Sequence, residues 1–227
     1  MSRIEGMVDT LVSMQTKFNN DTNGECWVYG VTKDGRTIDW NLCMLQESAE
    51  AIDSLNWKHW KDKDKADDME NFKMELVDIL HFLLSECIIT NHVVDIAPAI
   101  KLGIMNNGGV IANRFVLIDT IKLFMLDVLK HNIQDDGKHI TESVYRFMDL
   151  VESVEGFSFK EMYQLYMGKN VLNTFRQLNG YDAGTYVKEF GGREDNVWLM
   201  EYLDSGVDVT YDNTMEYLDK VYKENTK

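Results

Sequence analysis

The chain has one proline, three cysteines and few cations for its acids, 23 Lys and Arg against 38 Asp and Glu. Pro98 alone interrupts 227 residues, so few points forbid a helix, and the abundance of Leu, Met, Lys and Glu favours long ones. Cys26, Cys43 and Cys87 are odd in number and show no C-x-x-C spacing, which excludes a disulfide frame and a thiolate zinc site and fits reduced cytoplasmic thiols. A net charge of −15 leaves no basic surface to release counterions, which argues against a nucleic-acid partner. Asp78, His81, Asp119, Lys122 and Asp127 interrupt the longest apolar runs, so no membrane span is expected, and the N-terminal residues lack the apolar core of a signal peptide.

A hydrophobic share of 44% with five tryptophans predicts a packed globule. Ile4, Met7, Val8, Leu11, Val12, Met14 and Phe18 recur at helical spacing, and Asn19 to Gly24 read as the stop. Further helices are expected at about 38–60, 69–93, 110–131, 141–154 and 159–179. Asn106-Asn107-Gly108-Gly109 reads as a break, and one or two short helices are expected after about residue 194. No segment shows a strand pattern. The expectation is an all-α helical bundle, with the active site between helices, in a single domain over 1–227.

Two acidic pairs stand out. Glu47 and Glu50 form E-x-x-E; Glu75 and Asp78 form E-x-x-D at the head of the run Glu75 to Leu84, which is otherwise almost wholly apolar. On the first helix, Cys43, Glu47, Glu50, Ser54 and Trp57 share one face; on the second, Asn71, Glu75, Asp78 and Phe82 do. A lone E-x-x-E is ordinarily solvated surface, and a lone Asp in an apolar helix is ordinarily hydrogen-bonded or paired with arginine. Two such pairs on neighbouring helices, one of them in a helix that must be buried, instead fit a site for a hard cation such as Mg²⁺, because unneutralised charge is costly to bury. A third feature is cationic: Lys169, Asn173 and Arg176 share a helix face, followed closely by Gln177, Tyr181 and Lys188. An ordinary surface helix could carry these. In so acidic a chain they also suit the oxygens of a bound phosphate. Together the patterns point to metal-dependent chemistry on a phosphate compound.

The carboxylate pattern resembles the all-α nucleoside triphosphate pyrophosphohydrolases. Trp57-Lys-His-Trp-Lys61, the stretch Gly168-Lys-Asn-Val-Leu-Asn-Thr-Phe-Arg-Gln-Leu-Asn-Gly-Tyr181, and the segments Gly184–Lys188 and Gly192–Asn196 are similar to the dimeric dUTPases within that superfamily. The resemblance spans Gln15 to Asn196; residues 95–155 carry no matching motif and would be a variable helical insertion.

The resemblance implies a homodimer that hydrolyses dUTP and dUDP to dUMP. Glu47, Glu50, Glu75 and Asp78 would hold two or three Mg²⁺ per active site, with Glu47 or Glu50 as the proton acceptor. Lys169, Arg176, Tyr181, Lys188 and Asn196 would meet the phosphates. Gln15 and Asn19 would meet uracil, Asn173 the deoxynucleoside, and Trp57 with His81 or Phe82 would wall the base. A MazG-like enzyme of other base preference and a non-catalytic helical interaction protein remain alternatives. A simple cation binder leaves the cationic stripe unexplained.

Overall fold

A computed structural model describes residues 3–107, 112–134, 138–206 and 209–226. They form an all-α protein. The helices are α1 (Arg3–Asn23), α2 (Trp40–Ser54), α3 (Met69–Ile89), α4 (Ile96–Asn107), α5 (Arg114–Gln134), α6 (Lys138–Glu152), α7 (Phe159–Leu178), α8 (Asp195–Asp204) and α9 (Tyr211–Asn225). Short 3₁₀ turns lie at Glu25–Tyr29 and Val93–Asp95. A two-residue antiparallel pair, β1 (Glu189–Phe190) and β2 (Arg193–Glu194), is the one sheet among the described residues.

The chain divides into two compact units, Met1–Met162 and Tyr163–Lys227. In the first, α3 is the central helix. Phe72, Met74, Leu76, Val77, Ile79, Leu80, Leu83 and Leu84 are all buried on it, because its sequence is apolar nearly all round. It packs against α2 on one side and α1 on another, while α6 packs between α4 and α5. In the second unit α7 lies close to α8. Gly168 makes this approach feasible, since a Cβ there would sit 3.1–3.3 Å from the Leu199 and Leu203 methyls.

Three boundaries differ from the sequence reading. Helix α1 continues through Asn19 and Asn20 to Asn23 and ends at Gly24, whose φ is +78°. Those asparagines could have competed with the helix for backbone bonds, but tertiary partners engage their side chains: Asn20 accepts from Trp27 Nε1 at 2.7 Å. Helix α2 stops at Ser54 rather than near 60, because Leu55 is extended and Asn56 turns to hold the loop, donating to Lys65 O at 2.6 Å. Helix α4 was not expected. It begins just before Pro98, in the first turn, where a missing N–H costs no helical hydrogen bond. Gly108 and Gly109 of the expected break lie outside the described residues.

Both site-bearing helices are capped by aspartate. Asp39 Oδ1 accepts from Leu42 N at 2.9 Å to start α2, and Asp68 Oδ1 accepts from Asn71 N at 3.0 Å to start α3. The backbone N–H of Asp68 also donates to Ser54 O at 2.9 Å, tying the end of α2 to the start of α3. Replacing Asp68 with Ala is expected to lower stability by about 1 kcal/mol, or roughly 2–4 °C in Tm, read by urea and thermal unfolding.

Candidate metal centre and polar network

The packing of α2 on α3 brings three of the four expected carboxylates together. Glu47, Glu75 and Asp78 each offer an oxygen, and the three oxygens lie within 4.8 Å of one another. Glu75 is buried, and Glu47 and Asp78 are half-buried. Asn71 Nδ2 donates to Glu75 Oε1 at 3.0 Å and to Ser54 Oγ at 2.8 Å, which orients the Glu75 carboxylate across the α2–α3 seam. Glu50 stands apart. It is exposed on α2, and its Oε1 accepts from Gln46 Nε2 at 2.7 Å.

The electrostatics follow from the crowding. Burial, then the charges of Asp78, Glu75 and Glu50, and a hydrogen bond to Glu75, push the Glu47 carboxyl up to about 8. Three oxygen donors that share a proton when no cation is supplied are a chemically apt set for a divalent metal. The trio could hold a metal ion.

A second group of potential ligands, Asp127, His139 and Glu142, is equally tight. There Arg146 Nε reaches Asp127 Oδ2 at 2.6 Å, and Lys138 Nζ lies 3.6 Å from Glu142. Its carboxylates already have cationic partners, so its charges balance without a metal.

Beside the trio on α3, a polar network is sunk into apolar surroundings. Gln15 and Asn19 of α1 and His81 and Ser85 of α3 are all buried. Gln15 Nε2 donates to Asn19 Oδ1 at 3.0 Å and to Ser85 Oγ at 3.1 Å, while Asn19 Nδ2 donates to Ser85 Oγ at 2.9 Å. His81 Nδ1 and Gln15 Oε1 are 2.7 Å apart. The spacing placed Gln15 and Asn19 on one face of α1, and the structure joins that face to α3.

The aromatic residues fall into two groups. Phe82 stacks on Trp40, with ring centroids 5.9 Å apart, and Trp27 closes edge-on against Trp40. Trp57 lies beyond the end of α2, edge-to-face with Trp60 at 5.8 Å. Trp40, the first residue of α2, was not singled out in the sequence, since it stands before the acidic stripe rather than within it.

The cationic residues belong to the second unit. Lys169 is buried and donates to Asn196 Oδ1 at 3.1 Å. Arg176 grips Asp195 with two bonds of 2.7 Å and donates to Asn173 Oδ1 at 3.1 Å and to Asn196 Oδ1 at 3.2 Å. Asp195 is fully buried and also accepts from Tyr186 OH at 2.9 Å; burial, and then the Asp195 charge and this bond, hold the Tyr186 phenol well above its usual range. Asp195 therefore fixes the direction of Arg176 and offsets part of its charge. It had no role in the sequence reading, although it lies beside Asn196. Tyr181 is exposed next to Tyr186, and Lys188 pairs with Glu194 at 3.2 Å on the surface.

An all-α protein whose acidic side chains converge into a set that could hold a metal ion is the class that the fold and site define. The sequence model of the dUTPase family matches residues 7–181, which take in every residue of the trio and of the polar network. The chain belongs to this family, the dimeric all-α dUTPases, and is a dUTP diphosphatase. Lys188 and Asn196 lie beyond the matched span. A search of curated proteins returned no match.

The raised Glu47 carboxyl has a consequence for stability. An acid held above its unfolded value favours folding while protonated. Its contribution is full below about 4.5 and is lost as pH rises through about 8. In EDTA, Tm is expected to fall across that window, and Glu47→Gln to flatten the fall. Scanning calorimetry against pH reads both.

Proposed function

We propose that the protein hydrolyses dUTP and dUDP to dUMP with Mg²⁺ held by Glu47, Glu75 and Asp78. The carrying observation is the trio itself, in which Glu47 keeps a proton near neutral pH because it is partly buried and its neighbours are also acids. Bound Mg²⁺ would cancel repulsion between the nucleotide phosphates and the protein's charge and make water more acidic.

Glu50 sits one turn beyond Glu47, outside the trio and open to solvent. It is the group assigned to take the proton of the attacking water. The water oxygen bonds to phosphorus as the phosphoanhydride bond breaks, and pyrophosphate leaves from dUTP or phosphate from dUDP. Lys169, Arg176, Tyr181, Lys188 and Asn196 are assigned to the phosphates and Asn173 to the deoxynucleoside. Asp195 limits how much charge Arg176 brings, so Lys169 carries more of the anion binding. Gln15, Asn19, His81, Phe82 and Trp57 are assigned to uracil, and Trp40, which stacks on Phe82, is added to the wall.

Turnover of dUTP, dUDP, dCTP, dTTP and UTP, with Mg²⁺ and with EDTA, tests the assignment. Activity confined to dUTP and dUDP and lost in EDTA is expected. Asp78→Asn should lower kcat by more than about a hundredfold while the helical circular dichroism is retained. Wild-type-like turnover by that variant would sink the metal assignment.

The homodimer is supported by α5. Its inner face is buried through Leu117, Ile118, Ile121, Phe124 and Val128, yet Phe115, Val116, Leu123, Leu126, Leu129 and Ile133 are exposed. A helix apolar on both faces needs cover on both, and a second copy of the chain supplies it. Light scattering should give twice the mass of one chain, and Leu126→Glu should give single chains. The three free thiols fit the expected cytoplasmic setting.

A further inference from the structure

Ser85 has no assigned role, yet it sits where the polarity of the whole network is decided. Its hydroxyl proton is committed to His81 O on the preceding turn, at 2.8 Å. Its oxygen can then only accept. Both amide groups that face it, Gln15 Nε2 at 3.1 Å and Asn19 Nδ2 at 2.9 Å, must therefore be the NH₂ ends. The rest follows in sequence. Gln15 turns its carbonyl to His81, so Nδ1 of His81 carries the ring proton and donates at 2.7 Å. Both hydrogens of Gln15 Nε2 are engaged, one by Ser85 and one by Asn19 Oδ1 at 3.0 Å. Asn19 is left with one amide hydrogen and one carbonyl lone pair to offer a base.

This matters because a carboxamide is nearly symmetric in shape but not in hydrogen bonding. Uracil shows a carbonyl acceptor beside an N–H donor; cytosine shows an amino donor beside a proton-free ring nitrogen. An amide that meets uracil correctly meets cytosine correctly after a half-turn. An amide reader distinguishes the two bases only if something stops that turn.

The geometry points to Ser85 as the positioning residue that locks the Asn19 and Gln15 amides in the orientation complementary to uracil. Without its hydroxyl, each amide loses the acceptor that tells its two ends apart. The inference rests on the uracil reading above, and the experiment separates the two.

The measurement is the ratio of kcat/KM for dUTP over dCTP in wild type, Ser85→Ala, Ser85→Cys and Ser85→Thr. Wild type should reject dCTP strongly, as a pocket with directed hydrogen bonds does. Ser85→Ala should still hydrolyse dUTP, but its ratio should fall by at least about tenfold, through KM for dCTP more than through kcat. Ser85→Cys, a weak acceptor of similar size, should behave likewise if the alanine variant folds poorly, and Ser85→Thr should restore the ratio. Long-range proton–nitrogen spectra should show the Nδ1–H tautomer of His81 in wild type and Ser85→Thr, and a mixture in Ser85→Ala. A ratio unchanged in both Ser85→Ala and Ser85→Cys overturns the role of Ser85 and leaves the uracil pocket standing. A wild type that accepts dCTP as readily as dUTP overturns the pocket reading, and the inference with it.

Discussion

Everything chemical in the first unit depends on the mutual repulsion of carboxylates set into the α2–α3 seam. Apolar burial makes the seam, since α3 is buried nearly all round, and the same burial removes the water that would screen Glu47, Glu75 and Asp78. The protein relieves the repulsion by leaving a proton on Glu47. That relief is partial and reversible, and a cation does the same work without the proton. The site therefore carries a deliberate instability at alkaline pH, of the kind that functional sites hold and surrounding packing sustains. Asn71 makes the arrangement specific, because its amide bridges Ser54 at the end of α2 and Glu75 on α3.

The all-α class and the site-bearing helices were legible in the sequence because their signals are long and periodic. The acidic pairs on 47–50 and 75–78 and the Gln15–Asn19 spacing survive folding almost unchanged, since i, i+3 and i, i+4 relations are local. What failed to show was non-local or very short. The start of α4 hid behind Pro98, and β1–β2 has too few residues for alternation to register. The separation of Glu50 from the trio is a matter of side-chain direction, settled by Gln46 one turn before it. Trp57 shares the acidic stripe only if α2 continues, and α2 ends at Ser54.

The missed roles share a character, Asn71 having been placed on the acidic stripe without a role. Ser85, Asn71, Asp195 and Trp40 do not advertise chemistry by type, because serine, asparagine and aspartate are common caps and surface groups. Each matters through what it holds: Ser85 two amides, Asn71 a carboxylate, Asp195 a guanidinium, Trp40 a phenyl ring. A sequence states which groups can act, while the residues that aim them are found only when the partners are in place.

Aim is where specificity and catalysis divide in this molecule. The proposed Mg²⁺ would demand near-octahedral geometry, but each carboxylate of the trio can meet that demand with either of two equivalent oxygens. On the proposed reading the amide network tolerates no such exchange, because a half-turn of Asn19 would change its partner from one base to another. Ordering buried polar groups costs conformational freedom, and leaving one unmatched costs about 1–3 kcal/mol. That penalty, set against the wrong base rather than for the right one, is what a buried network adds beyond affinity. On that reading the depth at which Gln15, Asn19 and Ser85 lie serves the proposed discrimination, since nearer the surface water would satisfy a turned amide.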